Sequence, residues 1–269
     1  MERLIKAWRS FYGIAIAGLG FQQFFYADFR PVLLPEWRSH IPLLALWVYI
    51  ASIALIAAGL AIVLDKKARM VSLALGGIFL ALLLFVHVPY QLIADPYNQH
   101  LGSWTDPLKE LALSGGAFVI AGSVQDEKGN AQNKTAITRL LEKMIPLGSI
   151  FFSITMISFG IDHFFYTGFV ASLVPAWVWD HIFWTYFAGV ALIGSGVAII
   201  LQIRLKAIAI LLGTMIFLWF VLLHIPRALA NPYGLQGNEI TSVFEALGFS
   251  GVAFIVACGP SAGKKTSLS

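Results

Sequence analysis

Charge is what this sequence has least of. Of its 269 residues only 12% are Asp, Glu, Lys or Arg, against 58% hydrophobic, and the mean hydropathy is +0.79. A soluble domain carries about 25% charged residues, so there is too little polar side chain here to cover a water-soluble globule. The single cysteine, Cys258, excludes an internal disulfide and a CxxC thiolate pair. No GxGxxG, Walker-type GxxxxGK[ST], HExxH or GxSxG occurs, so the common nucleotide, zinc-protease and serine-hydrolase signatures are missing. No two histidines stand at i, i+4 on one helix, and no metal site is expected. The formal charge of +4 is scattered in short clusters rather than drawn into a basic stripe, which argues against a nucleic-acid partner. No small-residue cleavage site follows the first apolar run, so no cleavable signal peptide is expected.

What is present is a series of long apolar runs. Crossing a ~30 Å hydrocarbon core takes roughly 20 residues. Eight stretches approach that length: about 11–28, 42–64, 70–93, 108–124, 146–166, 182–202, 207–226 and 240–258. Basic residues divide unequally between the two sides. One side receives Arg3, Lys6, Arg9, Lys66, Lys67, Arg69, Lys128, Lys134, Arg139, Lys143, Arg204, Lys206, Lys264 and Lys265. The other receives Arg30, Arg38, Lys109 and Arg227. The positive-inside rule then places both termini in the cytoplasm.

The chain also repeats itself. "FFYADFRPVLLPEW" at 24–37 returns as "FFYTGFVASLVPAW" at 164–177, an offset of 140. "LWVYIASIALIAAGLAI" (46–62) matches "FWTYFAGVALIGSGVAI" (183–199) at offset 137, and "FVHVP" (85–89) matches "LLHIP" (222–226) at the same offset, pairing His87 with His224. "SGGAF" (114–118) matches "SGVAF" (250–254) at 136. A repeat found this way governs the reading of the fold. Each unit holds four spans, an even number, so both enter the membrane in the same sense, as in parallel-repeat transporters. The expected fold is all-α: a polytopic membrane protein with eight transmembrane helices as two parallel four-helix repeats. Residues 1–124 form the first repeat, 125–139 a cytoplasmic linker and 140–269 the second repeat.

Polar groups gather towards one side. All six histidines fall in the outer half or outer loops, together with Gln22, Gln23, Asp162, Glu110 and Glu245. Ionisable groups at membrane depth are costly and persist where they face the bundle interior, pair, or line a wet cavity. His87, Glu110, Asp162, His163, His224, Glu245, Gln22 and Gln23 are therefore the candidates for ligand binding or proton relay. The alternative is structural: a His–Glu hydrogen bond in each repeat tying the third helix to the fourth. Asp162-His163 stands out because the sister unit carries neutral Gln22-Gln23 at the matched positions. His87 and His224, as repeat mates, could also supply axial haem ligands, which ranks behind a quinone.

"GLGFQQFFYADF" in the first helix, "LLLFVHVPY" ending the third and "KELALSGGAFVIAGS" (109–123) in the fourth resemble the DoxX-like family of small bacterial membrane proteins, and "EALGFSGVAFIVA" (245–257) echoes the last of these. Family members are commonly single four-helix units, so the resemblance covers this chain nearly twice. It implies residence in the bacterial inner membrane. It also implies association with membrane redox work, including a thiosulfate:quinone oxidoreductase subunit, or with oxidative-stress complexes. It transfers no catalytic motif. The expected function is an accessory or redox-associated membrane subunit binding a small amphipathic ligand, quinone or lipid, in an outer-facing polar crevice. A parallel-repeat small-solute transporter and a purely structural subunit are the alternatives. Any enzymatic role would be that of a quinone-linked oxidoreductase subunit.

Overall fold

The chain was analysed as a computed structural model that describes residues 2–36, 41–95, 97, 99–125 and 134–259, the side chain of Leu235 excepted. Trp37, Arg38, His40, Lys128, Lys264, Lys265 and positions 126–133 of the linker lie outside the described residues. Among the described residues the structure is all-helical. In an apolar medium every backbone N–H and C=O has to be satisfied within the chain, and the α-helix does this segment by segment.

The first half contains α1 (Glu2–Tyr26), α2 (Leu44–Val63), α3 (Ala68–Leu82), α4 (Val88–Ile93) and α5 (Thr105–Ser123). The second contains α6 (Ala136–Glu142), α7 (Gly148–Phe165), α8 (Thr167–Leu173), α9 (His181–Ile200), α10 (Leu205–Trp219), α11 (Ile225–Ala230) and α12 (Asn238–Cys258). Thr135 caps α6 by accepting from Thr138 N, and Asp180 caps α9 by accepting from Phe183 N.

Among the described residues, six segments are long and apolar enough to cross a membrane: Leu44–Val63, Ala68–Ile93, Ala136–Phe165, His181–Ile200, Leu205–Ala230 and Asn238–Cys258. This is consistent with a multi-pass membrane protein. The sequence led us to expect eight. Helices α1 and α5 fall short because of their polar ends: α1 opens with Glu2, Arg3, Lys6 and Arg9, and α5 carries Asp106, Lys109 and Glu110 in its first two turns. Helix α5 offsets this polarity by its position, packed against α3, α7 and α12.

Packing crosses between the halves. Helix α1 packs against α2 and also against α12, while α7 packs against α9 and α5. Several of these contacts recur at matched positions. A Cβ at Gly20 would lie 2.8 Å from Ser52 O, and one at Gly160 would lie 2.7 Å from Gly189 O. A Cβ at Gly115 would lie 2.6 Å from Gly148 O, and one at Gly251 would lie 2.7 Å from Trp8 O. In both cases glycine lets one backbone rest on another. The turns agree as well. Positive φ occurs at Leu43 (55°) and Asp180 (47°), at Asp65 (57°) and Gln202 (58°), and at Lys67 (51°) and Arg204 (42°). The matched aromatics share a fate: Phe25 is 68% exposed and Phe165 74%, while Phe24 and Phe164 are both 44% exposed.

The two ends of the bundle are tied differently. At one end Arg9 Nη1 donates to Asp65 Oδ1 at 2.8 Å, and Arg69 donates to Ala121 O (2.9 Å) and to Glu142 Oε1 (3.0 Å). At the other, Tyr26 Oη donates to Pro232 O at 2.9 Å, and Gly102 N donates to Tyr166 Oη at 3.1 Å. Each tyrosine therefore holds the loop that precedes the fourth helix of the opposite half.

The Gly115–Gly148 approach generates a test. Gly115→Ala forces a methyl onto a backbone oxygen and is expected to cost about 1–3 kcal/mol, read as a lowered Tm in detergent. Gly168→Ala, where nothing lies within 4 Å of the added atom, is expected to leave Tm unchanged.

Candidate functional site

The site begins with two prolines. Pro89 and Pro226 lack the N–H that a regular helix needs, and their rings crowd the carbonyls of Phe85 and Leu222. In both places the helix widens just beforehand. Leu83–His87 and Phe220–His224 are π-helical, with Val88 N donating to Leu83 O and Ile225 N donating to Phe220 O. Short π segments inside α-helices frequently mark functional positions. Here each ends on one of the matched histidines.

His87 is 1% exposed and Glu110 is fully buried. His87 Nε2 lies 3.3 Å from Glu110 Oε2, an ion-pair distance without hydrogen-bond alignment. Neither Glu110 oxygen has a hydrogen-bond partner among the described residues. A buried carboxylate without such partners is expensive. One proton shared between the imidazole and the carboxyl gives the pair zero net charge, and leaves it able to donate to a third group. Gln91, one turn beyond His87, is also buried; its Nε2 donates to Ser103 O, and its Oε1 has no hydrogen-bond partner among the described residues.

The residue before Glu110 does something else. Lys109 Nζ lies 3.1 Å from Glu245 Oε2 and 3.6 Å from Asp106 Oδ1, with the Lys109 and Glu245 side chains only 12% and 5% exposed. Among the described residues a His–Glu contact thus occurs in the first half alone, and there without the hydrogen-bond alignment expected of a tie. Glu245 is engaged across the halves by Lys109, and the Nδ1 of His224 is buried with no hydrogen-bond partner among the described residues. The reason lies in the register. At the 136 offset Glu110 matches Ala246, and Glu245 matches Lys109.

Gln22 and Gln23 act as ties between helices. Gln22 Nε2 donates to Gly237 O at 2.7 Å and its Oε1 accepts from Thr241 Oγ1 at 2.9 Å, joining α1 to the start of α12. Gln23 Nε2 donates to Ser52 Oγ (3.2 Å) and Val48 O (3.3 Å) on α2. At the matched positions of the second half, Gly189 stands where the first has Ser52, so that tie has no counterpart. His163 instead places its Nδ1 2.7 Å from Phe159 O and stacks on Trp219, with ring centroids 6.3 Å apart at 21°. Asp162 is half-buried, and its Oδ1 has no hydrogen-bond partner among the described residues. No hydrogen bond or ion pair among the described residues joins Asp162-His163 to the His87–Glu110 pair.

Two contributors were not singled out in the sequence. Lys109 entered only as one of four basic residues on its side, although the 136 offset already sets it opposite Glu245. Arg30 is 1% exposed; it donates to Gln236 O at 2.5 Å and Asp28 O at 3.3 Å and lies 4.6 Å over the Tyr26 ring. Only the neighbouring loop explains its burial, and no local signal marks it.

The arrangement defines a class: an all-helical bundle, consistent with a multi-pass membrane protein, that carries a buried imidazole–carboxyl pair at one end. The chain matches no protein-family profile, no curated protein and no solved structure.

The pair can be tested through stability. His87→Ala leaves Glu110 without its neighbour and is expected to destabilise the protein by about 3 kcal/mol. His87→Ala combined with Glu110→Leu is expected to recover most of that loss in the same unfolding assay.

Proposed function

We propose that this chain is a DoxX-like protein of the bacterial inner membrane, built as two parallel four-helix repeats with both termini cytoplasmic. In this reading it binds a small amphipathic ligand of the quinone or lipid class and serves as an accessory subunit in a membrane redox or envelope complex. Three features support the two-repeat reading: the paired glycine contacts, the paired positive-φ turns and the paired π segments. Helices α1 and α5 are then the two remaining spans, shielded from lipid by neighbours on several sides.

The observation that carries the ligand reading is the His87–Glu110 pair. It is buried at one end of the bundle, and His87 Nε2 and both Glu110 oxygens have no hydrogen-bond partner among the described residues. These atoms fit a quinone, whose ring oxygens accept hydrogen bonds and take up or release protons as its redox state changes. His87 and Glu110 would hold one such oxygen and share or exchange the proton at Nε2 and Oε2. Lipid-facing Phe25, Phe85 and Ile93, each more than half exposed, suit an isoprenoid or acyl tail. Haem is less well served, because His87 Nε2 faces Glu110. Polar groups collected at one end also differ from the midplane sites of parallel-repeat transporters, which keeps transport second.

Two outcomes test this proposal. Titration of the nanodisc-embedded protein with a short-chain ubiquinone, followed by tryptophan fluorescence, is expected to saturate. Glu110→Gln is expected to weaken binding about tenfold, or about 1.4 kcal/mol. A wild-type protein that shows no saturable response and carries no quinone in its lipid extract would defeat the quinone reading. For topology, a Cys258→Ser background carrying a cysteine at Asn98 should react with an impermeant thiol reagent on intact cells. The same background with a cysteine at Lys128 should react only after lysis.

A further inference from the structure

The axis between the repeats passes close to Lys109 and Glu245. With "SGGAF" (114–118) set on "SGVAF" (250–254), these two residues occupy the same position in their respective repeats. In a parallel repeat, mated positions meet each other only near the two-fold axis. Lys109 and Glu245 meet at 3.1 Å. Identical residues there would face their own kind: two lysines or two glutamates, buried, at a separation where like charges repel strongly. Opposite charges at mated positions require two halves that are free to differ, as halves of one chain are.

We propose that Lys109 and Glu245 are the positioning pair of the His87–Glu110 site, and that they make it a single site in a two-fold fold. This rests on the two-repeat reading above. Successive residues on an α-helix are turned by about 100°. Holding Lys109 at the axis therefore fixes the rotation of α5, and so fixes where Glu110, the next residue, points. It points at the π segment of its own repeat, onto His87. Glu245 fixes α12 in the same way, and the residue after it is Ala246. Among the described residues His224 accordingly has no carboxylate at ion-pair distance, and its Nδ1 has no hydrogen-bond partner. Asp106, one turn before Lys109, holds the ammonium from the other side at 3.6 Å. A single divergence at two adjacent positions thus does two things. It turns repulsion at the axis into attraction, and it leaves the imidazole–carboxyl pair in the first repeat alone.

The test reads Glu110 itself, with no quinone present. Its infrared signal in lipid nanodiscs is assigned by its loss in Glu110→Gln. Lys109→Gln and Glu245→Gln are each expected to displace that signal. The double variant, which joins two amides of similar size and leaves only the 37% exposed Asp106 without its cation, is expected to return it to the wild-type position. Single variants with an unmoved signal overturn the proposal, and so does a double variant whose signal stays displaced. If the single variants fail to fold, the double variant alone decides: a signal at the wild-type position supports the pair, and one elsewhere rejects it. Failure of quinone binding leaves this measurement intact, so the two readings fall separately.

Discussion

Where backbone rests on backbone, at Gly115 against Gly148 and Gly251 against Trp8, the helices have no latitude. These approaches seat α5 against α7 and α12 against α1, and they bring the start of α5 up to the start of α12. The polar end of the bundle depends on that placement. Lys109 reaches Glu245, Gln22 reaches Thr241, and Tyr26 and Tyr166 reach the opposite loops, because the fourth helices stand at the centre. A bulkier side chain at any of these crossings would draw these groups apart.

The same constraint explains why the fourth helices tolerate so much polarity. A span facing lipid has to be apolar all round, as α2 is, with only 22% of its spanning window buried. Helix α12, with 72% buried, meets protein on most sides and carries Glu239, Thr241 and Glu245. Helix α5 goes further, with a buried Glu110, a Lys109 held between two carboxylates, and Ser114 donating to Gly76 O at 2.8 Å. The polar atoms of these central helices answer to neighbouring helices, so hydropathy along one segment understates them.

Much of this was legible in the sequence. Long apolar runs and few charges foretold helices long and apolar enough to cross a membrane. The matched phrases foretold matched turns, down to positive φ at positions 137 residues apart. The prolines after His87 and His224 marked where the helices widen, although a π segment has no composition of its own. His87 and Glu110 were found as candidates, and the structure brings them together. Glu245 was found, but its partner was taken to be His224, because spacing within one repeat cannot reveal a contact that crosses to the other. Gln22 and Gln23 read as ligand candidates, and the interhelical hydrogen bonds that their amides make were not foreseen, since the partners lie more than 20 residues away in sequence. Arg30 left no trace, as its burial depends on a carbonyl 206 residues distant.

The closure of α1 against α12 has a consequence for how the chain is made. Helix α1 is synthesised before α12, and the carbonyl and hydroxyl that Gln22 needs are at Gly237 and Thr241. Until those two residues are made, Gln22 has to wait for its final partners. The bundle is therefore a ring in space although the chain is a line, and the seam between α1 and α12 closes only once α12 has arrived.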